Sequence, residues 1–527
     1  MKAFKDPHQR HSGSLSAGIQ GSFETTAGSR PETCRDDAPS AYPVCRVPSL
    51  AATTVVVTVF SLLLTGCMLG PNYRRPAVET PESFRFEEKD ARDTANTEWW
   101  QSFQDPVLDS LINEALARNK NVKIAAANIE QAAGLLMQTR APLFPQLSYN
   151  GSATRQRTSE AGASPLATSL IPNPKNSFEI LGGANWEIDL WGRIRRLTES
   201  ARANLLASQE ARRGVILSLV ASVASSYIQL RGLDDQLEIS HRTLDTYAES
   251  VRLFDLQFTH GQVSKMTLEQ ARSQYDTAAA AIPQIESQIA QTEHALCVLL
   301  GRHPGAIERG KPLSQLGIPA VPAGLPSELL ERRPDLAQAE QNLIAANAQI
   351  GAAKALYFPT ISLTAALGTQ SSQLADLFTG PSKIWSYAGT FTGPIFTAGA
   401  IRGQVKQAEA QQQATLESYQ NAILSAFSDV ENALVSRQKL ADQLAAQGAL
   451  VGSLKEYDRL AWLQYQGGYT QYLTVLNAES QLFPAELAYS QSMTALLVSH
   501  INLYKVMGGG WVSRAEELTE GATVQTE

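Results

Sequence analysis

Residues 178–191 read FEILGGANWEIDLW, and the alternation in this stretch decides how the chain is built. Phe178, Ile180, Gly182, Ala184, Trp186, Ile188 and Leu190 fall on one face of an extended strand, and Glu179, Asn185, Glu187 and Asp189 fall on the other. Successive strand side chains point to opposite faces, so period two separates an apolar from a polar surface. A partner precedes it at 146–154, QLSYNGSAT, where Leu147, Tyr149, Gly151 and Ala153 alternate with Ser148, Asn150, Ser152 and Thr154. Two similar stretches come later. Ile361, Leu363, Ala365 and Leu367 oppose Thr360, Ser362 and Thr364; Trp385, Tyr387, Phe391 and Ile395 oppose Ser386, Thr390 and Thr392. Strands of about ten residues, apolar outward and polar inward, suit the wall of a membrane barrel. A half-buried hairpin of a soluble domain would alternate in the same way. Four such strands in a repeat, behind an export signal, favour the membrane.

The export signal lies near the start. Arg46 precedes an uncharged apolar run from Leu50 to Leu64. At about 15 residues the run falls short of the roughly 20 that a spanning helix needs, and the layout is that of a secretory signal. Leu64-Thr65-Gly66-Cys67 resembles a bacterial lipobox. On that reading the chain is cut before Cys67, whose thiol carries the lipid. An ordinary signal ending near Gly66, with an incidental cysteine, is the alternative. Met68 follows in place of the aspartate that usually retains a lipoprotein at the inner membrane. Residues 1–45 form an unusually long polar leader, expected to be a removable extension or a misplaced start. Removing residues 1–66 takes away six basic and five acidic residues and moves the net charge from −7 to −8. Cys34 and Cys45 leave with the leader, so Cys297 stays as a lone thiol and no internal disulfide can form. The acidic balance argues against a nucleic-acid partner.

The chain repeats itself. At an offset of about 214 residues, Arg118-Asn119-Lys120-Asn121-Val122 meets Arg332-Arg333-Pro334-Asp335-Leu336, and Phe144-Pro145 meets Phe358-Pro359. The offset then becomes 207, pairing Gln236-Leu237 with Gln443-Leu444, Gly261 with Gly468, and Gly301 with Gly508. The expected organisation is a leader and signal (1–66), a lipidated arm (67–106), repeat 1 (107–301), a Pro/Gly-rich connector (302–326), repeat 2 (327–508) and a tail (509–527). Each repeat opens on a helix of about 30 residues, 107–141 or 327–357. Two strands follow. A very long helix then runs from 193 to 258 or from 400 to 465, with no proline in either. At about 1.5 Å per residue each long helix spans roughly 100 Å. Val223, Leu230, Leu237, Leu244, Val251 and Phe258 recur every seventh residue, the period of a coiled coil. Each long helix turns at a glycine and returns through about 38 residues, with Pro283 and Pro484 expected to kink the return.

Four strands cannot close a barrel, for which eight is the practical minimum. An open strand edge in lipid costs several kcal/mol per unpaired backbone group, so the chain must oligomerise. Two copies give eight strands and a filled interior. Three give twelve strands and a water-filled lumen, which the polar inner faces favour. The fold class expected is therefore mainly α with a membrane β-barrel.

These pieces resemble the TolC/OprM-like outer-membrane efflux factors of the NodT type. The resemblance covers roughly Cys67 to Trp511 and rests on CMLGPNYRRP, WWQSFQDPVLDSLINEAL, GIPAVPAGLPSELLERRPDLAQAEQNLIAANAQIGAAKALYFPTISL and NLYKVMGGGW together. It implies a homotrimer with a twelve-stranded barrel, an α-helical tunnel and an equatorial collar. It implies localisation in the outer membrane of a Gram-negative bacterium, with a lipid anchor at Cys67. It further implies passive conduction of small toxic compounds, a periplasmic adaptor and an inner-membrane pump, most often of the proton-driven resistance-nodulation-division type. A conduit of type I protein secretion is the alternative within the same fold, and a pore-less coiled-coil lipoprotein is a rival outside it. No enzyme activity and no cofactor are implied.

The family's adaptor-docking tips match Phe258, Gly261, Val263 and Ser264 on one hairpin, and Tyr465, Gly468, Tyr469 and Thr470 on the other. Its closed aperture is lined by a leucine and an aspartate, and the matching positions are Leu473 and Asn477. The departure at Asn477 has an electrostatic consequence: three aspartates around a narrow pore repel one another and bind cations, and three asparagines do not. A weaker cation block and less pH dependence are expected at this ring. Asn477 could instead merely pack.

Other signals fade. Residues 305–311 have the spacing of a phosphate loop, but Pro312 stands where a magnesium-binding Ser or Thr belongs. His294 and His500 read as satisfied packing residues on the return helices. Trp99-Trp100 is assigned to the collar rather than to lipid headgroups. No metal-ligand spacing and no nucleophile–base set can be assembled.

Overall fold

The computed structural model describes residues 68–512 apart from 79, 82, 87–97, 158, 160–172, 322–325 and 509–510. Cys67, the leader and most of the tail therefore lie outside the described residues.

Repeat 1 opens on α1 (Pro106–Arg118) and α2 (Lys120–Arg140), and continues through β1 (Gln146–Gln156), β2 (Lys175–Ile188), α3 (Arg193–Thr259) and α4 (Lys265–Leu299). Repeat 2 follows the same order with α5 (Pro326–Arg332), α6 (Pro334–Ala355), β3 (Thr360–Ser371), β4 (Lys383–Thr392), α7 (Ala400–Gln466) and α8 (Tyr472–Val506). The two long helices have 67 residues each and the two return helices 35. Pro283 and Pro484 lie inside return helices that continue on both sides of them.

The first helix of each repeat is broken, where a single helix was expected. Asn119 takes an extended ψ of 133°, caps α2 by accepting from the Asn121 and Val122 amides, and donates its amide to the Leu299 carbonyl at 2.7 Å. At the matching position Arg333 precedes Pro334, and the residue before a proline is driven out of the helical region. Arg333 reaches the Val506 carbonyl at 3.4 Å, the end of the other return helix. The repeat thus conserves a joint made by different side chains: each break is tied to the end of its own return helix.

The four strands form one antiparallel sheet in the order β1-β2-β3-β4, leaving β1 and β4 as edges. The register aligns the apolar sets across all four strands. Gly182 pairs with Tyr149 and Leu367, Ala184 with Leu147 and Ala365, and Leu367 in turn with Trp385. The polar sets align likewise, with Glu179 opposite Ser152 and Gln370, and Ser362 opposite Thr390. Leu147, Tyr149, Trp385, Tyr387 and Phe391 are all more than two-thirds exposed on a single chain. Such a patch requires a membrane or another apolar partner to cover it. Two residues depart from expectation: Leu190 and Ile395 lie beyond their strands, and Ile395 is fully exposed in the link to α7.

The core surrounds the middle of α3, where Ile216, Val220, Val223, Tyr227 and Leu230 are sealed by Trp99, Phe103, Leu108, Ile112, Leu497 and Ile501. Burying one such large side chain contributes about 1.5–3 kcal/mol. α3 also contains a segment apolar enough to cross a membrane, but more than half of that window is buried in protein, so its apolarity serves packing. The heptad residues follow the same gradient. Val223 and Leu230 are sealed, Leu237, Leu244 and Val251 are half-buried, and Phe258 is exposed.

Candidate functional site: hairpin tips, aperture face and collar

Both hairpins turn by the same mechanism. At the end of α3, the Gln262 amide donates to the Gln257 carbonyl at 2.8 Å and the Gly261 amide to that of Phe258 at 2.9 Å. At the end of α7, the Tyr469 amide donates to Gln464 at 2.9 Å and the Gly468 amide to Tyr465 at 3.0 Å. This is the Schellman pattern, which requires a left-handed residue just past the helix. Gly261 and Gly468 supply it at φ of 70° and 75°, and an added Cβ would meet no other atom at either site. The requirement for glycine is therefore one of backbone conformation, and the ground around it is open.

The fold brings the two tips together. Tyr465 donates its hydroxyl to Gln257 at 3.4 Å, and Phe254 packs on Tyr472 with ring centroids 4.1 Å apart. Val263, Tyr465, Trp462, Leu268 and Val475 close a small core around Phe254. Ser264 caps α4 by accepting from the Thr267 amide, and Thr470 shares a 2.7 Å hydrogen bond with Thr474. Phe258 and Tyr469 stand out from this base, Tyr469 at 88% exposure. Leu473 and Asn477, one helical turn apart on α8, also face outward, while Val475 and Ala478 face the core. In the single chain Asn477 is thus exposed rather than packed.

Glu479, which the sequence reading passed over, sits just behind that face. It is 4% exposed. One carboxylate oxygen accepts from the Trp462 indole at 3.2 Å, and the other has no partner. Burial, reinforced by the charge of Asp458, pushes its pKa up to about 7. The signal was present, because Tyr472, Val475, Glu479, Phe483 and Glu486 form one helical stripe of three- and four-residue steps.

The segment expected to form the collar is organised around Asp105. This fully buried carboxylate caps α1 through the Val107 amide and accepts from the Tyr227 hydroxyl at 2.8 Å and the Lys311 amide at 3.1 Å. The phosphate-loop look-alike is thereby accounted for, since the Gly310 and Lys311 amides are bound by Tyr227 and Asp105. Arg309 adds Glu293 and Asp234, which fastens the connector to α4 and α3. Trp99 stacks on Tyr504 at 5.4 Å and Trp100 meets Trp511 edge-on at 4.9 Å, so both tryptophans belong to the protein interior. The two histidines differ from expectation. His294 is exposed, and buried His500 has an unpartnered Nδ1, with a pKa lowered to about 4 by burial and by nearby Arg437.

A four-stranded membrane sheet joined to two helical hairpins, each a 67-residue helix with a 35-residue return, and with adjoining tips, defines a channel-forming outer-membrane protein. The outer membrane efflux protein family profile matches residues 111–302 and 325–509, and the chain belongs to that family. It is 36% identical over 480 residues to the probable efflux pump outer membrane protein TtgC of Pseudomonas putida, covering 90% of this chain and 98% of TtgC. It is 35% identical over 458 residues to the cation efflux system protein CusC of Escherichia coli K12, covering 85% of this chain and 98% of CusC. A CusC crystal structure superposes with a TM-score of 0.76, covering 84% of this chain and all of that one. The open state of the Neisseria gonorrhoeae MtrE channel gives 0.76 at 33% identity, covering 84% of this chain and 99% of MtrE. The chain is thus an outer-membrane efflux channel of the Gram-negative type, and these relatives do not favour the protein-secretion alternative.

Proposed function

We propose that three copies close a twelve-stranded barrel and a helical tunnel, and that the trimer passively conducts small toxic compounds from the periplasm to the outside within a tripartite pump. The observation that carries this reading is the sheet: its apolar face is continuous across four strands, yet β1 and β4 remain unpaired. In lipid those edges must find strands from other copies. The paired tips, exposed at Phe258, Gly261, Gly468 and Tyr469, are the surface for a periplasmic adaptor, which in turn links the duct to an inner-membrane pump of the proton-driven resistance-nodulation-division type. A passive duct requires no catalytic group, and we assign none.

The lipid anchor is supported by the segment just after Cys67. Buried Arg196 donates to the Leu69 and Gly70 carbonyls and to the Asn72 side chain, and the Leu69 amide donates to the Trp191 carbonyl. Met68 is thereby held against Gly192, at the join of β2 and α3. Acyl chains on the neighbouring residue would leave the protein at the membrane-facing end of the tunnel.

The test is susceptibility of a deletion strain to antibiotics, dyes and organic acids, complemented by wild type or by Gly261→Asp with Gly468→Asp. Deletion should sensitise the cells, and the double variant should fail to rescue despite normal membrane levels. Rescue by the double variant would remove docking from the tips. At the aperture, cation block of single-channel current should be weak in wild type and should appear in Asn477→Asp. Strong block in wild type would contradict the role given to Asn477.

A further inference from the structure

Behind the outward face of Leu473 and Asn477, α3, α7 and α8 line a cavity of about 220 Å³ that is partly open to solvent beside the exposed Arg242 and Lys455. Three carboxylates line it, Asp458 from α7 and Glu479 and Glu486 from α8. The cations that also line it are already engaged: Lys455 of α7 holds Glu486 at 2.8 Å, and Arg242 of α3 approaches the same carboxylate at 3.6 Å. Among the described residues neither cation makes an ion pair with Glu479. Its free oxygen and one oxygen of Asp458 are buried without partners. The remaining ionisable neighbours are tyrosines. Tyr472, with its hydroxyl buried, lies beside the Glu479 carboxyl and favours its ionised form weakly against burial, and Tyr247 of α3 donates to the Glu479 backbone carbonyl at 3.0 Å. Tyr275 of α4 packs beside Tyr247.

We propose that Glu479 is a proton-operated latch, which holds α8 against α3 when neutral and loosens that contact when ionised. The inference rests on the channel reading given above. With Glu479 protonated, the lining carries two carboxylates, Asp458 and Glu486, against two cations, Lys455 and Arg242. Ionisation adds a third carboxylate charge, which faces Asp458 and exceeds the two cations. A buried charge held by so few donors is unfavourable, and admitting water between α3 and α8 relieves it. Asn477 lies two residues from Glu479 and Leu473 six, on the outward side of the same helix, so a shift of α8 moves both aperture positions. The proton sensitivity that an asparagine ring lacks thus arises one layer behind it.

The sign follows from the raised pKa. The packed tip binds the proton more tightly than a hydrated one does, so its advantage is complete below the ordinary carboxylate range. That advantage is lost as pH rises through about 7. Between the ordinary carboxylate range and about 7, packed tips should become rarer by up to about tenfold per pH unit, and above that the ratio should level off.

The experiment is single-channel recording of the purified trimer in planar bilayers from pH 5 to pH 9. Wild-type open probability should rise at least threefold, with a midpoint near 7. Glu479→Gln should stay at the acid level throughout. Asp458→Asn should keep the rise but move its midpoint to lower pH, because one repelling charge is gone. A wild-type channel without pH dependence, or a Gln variant that still opens with rising pH, overturns the latch alone. Absence of any conducting trimer overturns the channel reading and the latch with it. Trp462 emission, isolated by subtracting the Trp462→Phe spectrum, should titrate near pH 7 in the wild type and stay flat in Glu479→Gln. Titration in Glu479→Gln would also overturn the latch.

Discussion

The long helices α3 and α7 have the same length and the same place in their repeats, yet one is a core element and the other an edge. Twenty-five residues of α3 are buried, against eight of α7. α3 packs against α1, α2, α4, α6 and α8, whereas α7 packs mainly on α6 and α8. Duplication produced two similar hairpins, and position in the fold gave them different environments. Apolar residues remain exposed on α7 in the single chain, such as Leu424 at 68% and Leu463 at 59%. The sheet shows the same division, with β2 and β3 paired on both sides and β1 and β4 open.

The largest expected contrast comes from placing a charge on each helix. Val220→Asp puts an unpaired carboxylate in the sealed middle of α3 and should cost more than about 4 kcal/mol. Leu424→Asp on α7 should leave the chain folded and weaken only the trimer. Semi-native gels of membrane fractions would separate these outcomes, and loss of the folded chain in both variants would break the comparison.

The return helices provide a smaller contrast. His500 of α8 is buried with a depressed pKa, whereas His294 of α4 is exposed. A depressed histidine contributes stability that is present above its ordinary pKa of about 6.5 and is lost as pH falls towards 4. The loss should amount to roughly 3 kcal/mol at most. Thermal midpoints measured between pH 4 and pH 7 should show this loss in wild type and in His294→Leu, and should show little of it in His500→Leu.

The smallest effect tests the similarity of the hairpins rather than their difference. Gly261→Ala and Gly468→Ala each force a left-handed residue with no clash and should cost the same, about 1 kcal/mol. Unequal melting shifts would show that one tip is supported by contacts the other lacks. Phe254, which lies at the base of both tips, makes equality a demanding result.

The positions of the long helices, the four strands and the two glycine turns were legible because their causes are local. Period-two alternation gives the strands, absence of proline over 66 residues gives the helices, and glycine at positive φ gives the turns. The duplication was legible too, since offsets of 214 and 207 need only the letters. The broken first helices were not read, although Arg333-Pro334 marks one break. At Asn119 the break depends on Leu299, which is 180 residues away. For the same reason the sequence could not show that Asp105 binds the Lys311 amide, or that His500 is buried with its Nδ1 unpartnered. Glu479 is the clearest case. As a letter on a helical stripe it is an ordinary charged residue, and its pKa is set first by burial and then by the charge of Asp458. Local backbone preference and periodicity act within a few residues and survive in a linear text. Burial and electrostatics are sums over neighbours from distant segments, and only the tertiary structure decides which segments those are.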